Sequence, residues 1–484
     1  MAKEFIVAIE LGSSKVTGIA GQKNLDGSIN VLAVVKENSS SFIRKGVVYN
    51  IDKTALCIQS IVKKLEAQLK TQIVKVYVGV GGQSIRGVKN VITKDLPAGT
   101  IVTDAMIDEL VDTNRSMNYP DQEILDTAVQ EYKVDSQYQQ EPVGIQCTRL
   151  EGNYLNMLQR KSFYKNFSNC FEVAGIATAE FLNAPLALAD VVLTEAERRS
   201  GCALIDIGSD TTTVSVYSKN ILRHLAVIPL GGANITKDIA TLQMEETDAE
   251  KMKLKYASAY TDNNEIDNNL KYSIDQERQV ESRRFIEIVE GRMEEIIENA
   301  WYQIPTEYCD KLLGGIILTG GGANMKNIEL AFQNHTHIDK IRVAKTPVLT
   351  INGGGDDIKS KNGMMNTVLG LLAKGDVNCA GLPIDAAGDL FDGAKLAGTV
   401  AETNDQRPAR KAGEMPPGVV RSAAEKEQAE KEARQKREEE ERIAREKAEA
   451  EAAEAARIKR ENSWLNKFKK GATKFAKSMF DSEE

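Results

Sequence analysis

Residues 5–16 read FIVAIELGSSKV and residues 202–213 read CALIDIGSDTTT. Each is an apolar run that ends in acid, one apolar residue, Gly and Ser, with a second strand-like run behind it. A run that is apolar at nearly every position suits a strand covered on both faces. Glycine allows a tight turn with close backbone approach, so each motif reads as a β-hairpin. Consecutive turn amides and short hydroxyls can then hold phosphate oxygens. The acid at the strand end, Glu10 in one copy and Asp206 in the other, can hold Mg²⁺ through water, because that ion prefers oxygen ligands and keeps several waters. Either copy alone would pass for an ordinary hairpin. The pair points to two related domains facing a shared nucleotide.

A third stretch, residues 315–325, reads GIILTGGGANM: a buried strand, a glycine triplet and then a helix. A lone triplet is only a sharp turn. After two phosphate hairpins it is where a nucleoside would pass close to backbone. Around these motifs, apolar runs alternate with amphipathic stretches up to about residue 375, which predicts an α/β architecture. Predicted strands are Phe5–Leu11, Val74–Val80, Cys202–Ile207, Thr213–Tyr217 and Gly315–Thr319. Predicted helices are Lys53–Lys70, Thr178–Thr194, Gln279–Gln303 and Met364–Ala373.

The chain has 484 residues, enough for two or three domains, and a formal net charge of −8. That charge argues against nucleic acid as the main partner. No apolar run is long enough to span a membrane, and Met1-Ala2-Lys3-Glu4 does not open a signal peptide. Six scattered cysteines without a C-x-x-C pair argue against a disulfide scaffold or structural zinc, and suit a reduced cytosolic chain. Three histidines make a catalytic metal centre an unfavoured reading. His335 and His337 alternate as on a strand, so they could bind metal, but exposed polar side chains are the favoured reading.

The character changes after Gly375. Residues 376–420 are rich in Gly, Ala, Pro and Asp, and Pro408, Pro416 and Pro417 exclude a long helix, so a flexible disordered linker is expected. Residues 421–461 are Ala, Glu, Lys and Arg, with opposite charges three or four apart. That predicts a solvated single helix with no coiled-coil seam. Residues 462–484 differ again. On a helical wheel Trp464, Leu465, Phe468, Ala472, Phe475, Ala476 and Met479 share one arc, and Phe480 extends it. Lys467, Lys470, Lys474 and Lys477 lie opposite. A basic amphipathic helix with a tryptophan, behind a linker, suits a peripheral anchor on anionic lipid.

The order of the two hairpins and the glycine triplet resembles the actin, sugar-kinase and DnaK-type ATPase superfamily. Further stretches are similar to the bacterial cell-division family FtsA: ALADVVLTEAER (187–198) before the second hairpin, PLGGANITKDIA (229–240) after it, AEKMK (249–253), VGVGGQSI (78–85) and VQEY (129–132). The resemblance covers about residues 4–375, and the terminal helix fits it. It implies a two-lobed actin-like fold: residues 1–80 and 168–200 as the first lobe, 81–167 as an extra subdomain, and 201–375 as the second lobe. It implies ATP and Mg²⁺ as cofactors. Gly12, Ser13, Ser14, Lys15, Gly208, Ser209, Asp210, Thr211 and Thr212 would hold phosphate. Glu10 and Asp206 would hold Mg²⁺ through water. Glu250 and Lys253 would reach the ribose, and Gly320, Gly321, Gly322 and Met325 would line the adenine.

The same resemblance implies filaments on the cytoplasmic face of the membrane, at the division site. They would bind the C-terminal tail of the tubulin-like FtsZ, so tethering its ring, and the extra subdomain would meet other division proteins. The FtsZ tail would bind within about residues 235–300. Two residues depart from the family pattern. Glu10 stands where Asp is usual, and Gly-Ser-Asp-Thr replaces Gly-Gly-Gly-Thr in the second hairpin. Binding of ATP with at most slow hydrolysis is expected, and no catalytic residue is assigned. A soluble sugar kinase of the same fold would have no use for the terminal helix, and a DnaK-type chaperone would carry a β-rich peptide-binding domain there, where nothing after residue 375 reads as strand. A pilus-assembly relative would not need the terminal helix either.

Overall fold

The computed structural model describes residues 4–274 and 278–384. The charged stretch 421–461, the amphipathic stretch 462–484 and most of the expected linker lie outside the described residues. Those described fall into two compact units. Residues 103–112 make one, and carry most of the helix Asp104–Arg115. The rest make the other, and contain both hairpins.

Ten strands of this larger unit repeat one pattern twice. They are β1 (Ile6–Leu11), β2 (Lys15–Lys23), β3 (Ile29–Asn38), β4 (Val76–Val80), β5 (Thr178–Asn183), β6 (Cys202–Ile207), β7 (Thr212–Ser218), β8 (Ile221–Ile228), β9 (Gly315–Thr319) and β10 (Ile341–Val343). The first lobe orders them 3-2-1-4-5 and the second 8-7-6-9-10. In each, the first three form an antiparallel meander and the last two join in parallel. A strand β11 (Ile351–Gly353) extends the first lobe in parallel beside β3. The duplication expected from the two hairpins is therefore a duplication of whole lobes.

Flanking helices are α1 (Ile51–Leu69), α2 (Lys161–Ala174), α3 (Ala184–Val192), α4 (Gly232–Ala240), α5 (Glu246–Tyr256), α6 (Ser282–Tyr302), α7 (Ile328–Thr336) and α8 (Asn366–Lys374). Asn50 caps α1 by accepting from the Lys53 N–H, which satisfies one of the donors a helix start leaves open. Its apolar residues Ile58, Ile61, Val62 and Leu65 recur at helical spacing and are buried. Close packing on the first sheet depends on missing side chains. A Cβ on Gly18 would lie 2.4 Å from Ile61 of α1, and one on Gly79 would lie 2.4 Å from Leu371 of α8. The sheet is thus covered on both faces, which explains why β1 is apolar almost throughout.

Several expectations need correction. Thr178–Thr194 is not one helix. Its first six residues are the edge strand β5, and α3 starts at Ala184 with Pro185 in its first turn, where a missing N–H costs nothing. Likewise Gln279–Glu281 is a short strand ahead of α6. The extra subdomain ends before residue 167, because α2 starts at Lys161 and buries Phe167, Cys170 and Phe171 in the first-lobe core. Its strands Arg86–Ile101, Gln122–Val134 and Gln146–Arg160 pair antiparallel. This sheet joins the second lobe through the Arg86–Ala226 pairing beside β8. Arg223 ion-pairs with Glu131 at 2.9 Å across the same boundary.

The fold also runs past Gly375 into the expected linker. Cys379 is fully buried, Ala380–Pro383 pairs with Thr71–Ile73, and the Tyr77 hydroxyl donates to Asp376 at 2.7 Å. A chain ended after Gly375 should therefore melt at least about 3 °C below one ended after Ile384. Equal midpoints in a thermal melt would mean that these residues do not stabilise the lobe.

Candidate functional site

The two hairpin turns are the same object built twice. In the first, the Gly12 N–H donates to Lys15 O at 3.1 Å. In the second, Gly208 N–H donates to Thr211 O at 2.8 Å. Strand register agrees as well: Glu10 faces Thr17 across its hairpin and Asp206 faces Thr213. The parallel neighbours also match, Gly79 beside Glu10 and Thr319 beside Asp206. Counting on from these, Gly81-Gly82 is the first-lobe counterpart of Gly321-Gly322. Gly320 has φ +86°, and a Cβ there would lie 2.3 Å from Asp206 Oδ1. Only glycine lets this turn come so near the carboxylate.

Glu10 and Asp206 are brought together, each partly exposed at the end of its lobe's central strand. Burial, and then the charge of Asp206, push the Glu10 carboxyl up to about 8, against the opposing charge of Lys36. Burial pushes Asp206 up to about 6. Two carboxyls whose ionisation is held back, Asp206 by burial and Glu10 by burial and the Asp206 charge, form an oxygen donor set suited to a hard divalent cation.

The loop after β3, residues 39–46, bonds to both turns. Ser39 Oγ donates to Gly12 O at 2.6 Å, and the Gly46 N–H donates to Ser13 Oγ at 2.8 Å. The Lys45 N–H donates to Asp210 Oδ2 at 2.9 Å. Asp210, which could have added charge beside a phosphate, is thereby turned onto first-lobe backbone. Lys45 O accepts from the Gln83 N–H, drawing in the Gly81-Gly82 turn. Sequence reading missed this loop, since what it offers is mainly peptide N–H, which any residue but proline carries.

The remaining expected residues fall into groups. Ser14 and Lys15 are exposed on the first turn. Ser209 and Thr211 lie on the second, where the Gly232 and Ala233 N–H groups of α4 donate to Gly208 O and Ser209 O. Thr212 is fully buried, and its hydroxyl donates to Leu230 O. Lys253 donates to Gly232 O at 3.0 Å and pairs with Glu250 at 2.7 Å, while Thr236 donates to Glu250. This α4–α5 clasp sets Lys253 beside the second turn. Met325 packs on the second-lobe core. Met364, expected only as the start of a helix and not as a site residue, lies 3.6 Å from where a Gly321 side chain would begin. Its signal was weak, a methionine in a glycine-containing turn.

A family model described as cell division protein FtsA matches residues 203–369, and one described as the SHS2 domain inserted in FtsA matches residues 82–157. The cell division protein FtsA of Porphyromonas gingivalis is 32% identical over 332 residues, 67% of this chain and 69% of that one. The chain belongs to the FtsA family. The FtsA of Neisseria meningitidis serogroup B is also 32% identical, over 67% of this chain and 80% of its own. Among solved structures, the PilM–PilN type IV pilus biogenesis complex superposes with a TM-score of 0.52 at 13% identity, over 76% of this chain and 97% of that one. That likeness is one of fold alone. As an FtsA-family member the chain is a cell-division protein, and the SHS2 match coincides with the extra subdomain. Among the described residues, no helix is long and apolar enough to cross a membrane.

The carboxylate pair gives this FtsA-family chain a pH signature. Ordinary values are 3.8 for Asp206 and 4.5 for Glu10, so the fold binds these protons more tightly than the unfolded chain does. Their contribution to stability is full below those values. It is lost as pH rises through about 6 for Asp206 and about 8 for Glu10. Without nucleotide or divalent cation, the melting midpoint should fall between pH 6 and pH 8. Glu10→Gln should flatten that fall and raise the midpoint at pH 8 by about 2 °C or more. An unchanged midpoint at pH 8 would contradict the buried charge.

Proposed function

We propose that the chain is an ATP-binding actin-like protein that tethers the FtsZ ring to the cytoplasmic face of the membrane at the division site. The observation that carries the nucleotide part is the meeting of two equivalent hairpins, with the Glu10–Asp206 pair between them and Gly320 beside it. Turn backbone at Gly12–Lys15 and Gly208–Thr211 would bind the phosphates, and Glu10 and Asp206 would hold Mg²⁺ through its waters. A bound Mg²⁺ supplies charge neutralisation for phosphate oxygens. The Lys253–Glu250 clasp would face the ribose, and Gly320, Gly321, Gly322, Met325 and Met364 the base. Asp210 keeps its charge on the Lys45 N–H, so the second turn can still take an anion despite losing two glycines. We assign no general base, and slow hydrolysis at most is the reading.

Asp206→Asn tests the cation. Affinity for MgATP, titrated with a fluorescent analogue, should fall at least about tenfold, worth about 1.4 kcal/mol. Affinity for ATP in EDTA should hold or rise. Equal MgATP affinity in the variant would remove the carboxylate pair from the site.

Tethering rests on family membership together with the composition of residues 462–484. Trp464, Leu465, Phe468, Phe475, Met479 and Phe480 would enter the lipid boundary, with Lys467, Lys470 and Lys474 against anionic headgroups. The FtsZ tail would bind the second lobe. Self-association into filaments would multiply weak single anchors through effective concentration. Phe468→Asp should abolish co-sedimentation with anionic vesicles and leave ATP binding unchanged. Full-length chain that pellets with vesicles should carry an FtsZ C-terminal peptide down with it. Pelleting retained in Phe468→Asp would contradict the anchor, and a peptide left in solution would contradict the tether.

A further inference from the structure

His335 is not on a strand. It lies in the last turn of α7, whose C-cap His337 takes φ +56°. The α7 helix packs beside α6 in the second lobe, and His335 faces two acids one turn apart on α6, Glu294 and Glu298. One imidazole nitrogen and one oxygen from each carboxylate lie within 4.8 Å of one another. His335 Nε2 is 3.9 Å from Glu294 Oε1.

The charges around this cluster are unbalanced. Glu290, Glu294 and Glu298 follow one another at four-residue spacing, and like charges at that spacing destabilise a helix. Burial lifts the Glu290 carboxyl, and the charge of Glu294 adds to the lift. Glu295 on the same helix is matched, since Arg292 pairs with it and with Asp238 of α4. Among the described residues, no lysine or arginine forms an ion pair with Glu294 or Glu298. Their neighbour is an imidazole, which can serve as a metal ligand when neutral.

We infer that Glu294, Glu298 and His335 form a binding site for a divalent transition cation of the zinc type, clamping α6 to α7. The donor set selects the ion. A mixed set of imidazole nitrogen and carboxylate oxygen suits zinc and its neighbours, whereas Mg²⁺ and Ca²⁺ prefer oxygen alone. Zinc bond lengths of about 2.0–2.1 Å put tetrahedral ligand atoms about 3.4 Å apart. The three atoms would have to close by roughly 1 Å, which rotation of partly exposed glutamate side chains allows. Three protein ligands leave a fourth position for water, as in open zinc sites. The site is separate from the Glu10–Asp206 pair, and uses nitrogen where that pair offers oxygen only.

The test uses the full chain, stripped with chelator and free of nucleotide. Zn²⁺ is titrated by calorimetry, and Co²⁺ by its visible absorption, which strengthens when the ion becomes four-coordinate. One equivalent should bind per chain, and saturating Zn²⁺ should raise the melting midpoint, since a ligand that binds only the folded state stabilises it. His335→Ala and Glu298→Gln should each weaken binding by at least about tenfold, and should remove the rise in midpoint. Both residues lie at the surface, and folding of each variant is checked by circular dichroism. If the wild type binds no Zn²⁺, the inference falls. If His335→Ala binds Zn²⁺ as the wild type does, the cation sits elsewhere, on cysteine or in the cleft, and the inference falls equally.

Discussion

Two acids at the ends of two central strands set the terms for the larger unit. Duplication of a lobe puts Glu10 and Asp206 at equivalent positions, and the meeting of the lobes sets them against each other. Neither can ionise cheaply there, because burial removes water and, at Glu10, the charge of Asp206 adds to the cost. What surrounds them follows from that repulsion. Lys36 supplies opposing charge from β3, and the turns supply peptide dipoles. Glycine at position 320 keeps its own turn from pressing a side chain onto the Asp206 carboxylate. A compact hard cation would offset that penalty.

Much of this was legible in the sequence, for a definite reason. β1, β6 and β9 are covered on both faces, so they are written as unbroken apolar runs, and each ends in a turn that only small residues allow. The extra subdomain was harder to read. Its long strands carry Lys, Asp, Pro and Gly and become strands through pairing with one another, a property no single segment displays. β5 was absorbed into a helix because its residues TAEFLN have no strong preference, and Pro185 alone marked the true start of α3. Within the site, side chains were readable and backbone was not. Nothing in the letters at 39–46 reveals that their N–H groups tie Ser13 to Asp210, or that Asp210 is thereby held on first-lobe backbone.

The histidines make the complementary case. Their alternation suggested a strand, but Ile328, Ala331, Phe332 and Thr336 are buried at helical spacing, and α7 follows from that. A helix rather than a strand is what turns His335 towards Glu294.

The extra subdomain has a double allegiance. By covalent chain it belongs to the first lobe, leaving after β4 and returning through α2. By hydrogen bonding its sheet continues that of the second lobe, through the Arg86–Ala226 pairing, the Arg223–Glu131 ion pair and a Gln130 bond to Leu222 O. It therefore ties the two lobes together like a strap sewn to one side and buttoned to the other. Any rotation that opens the cleft must either undo the button or drag the strap. A molecule gripping the strap would sense the cleft's opening, and by reciprocity would bias it.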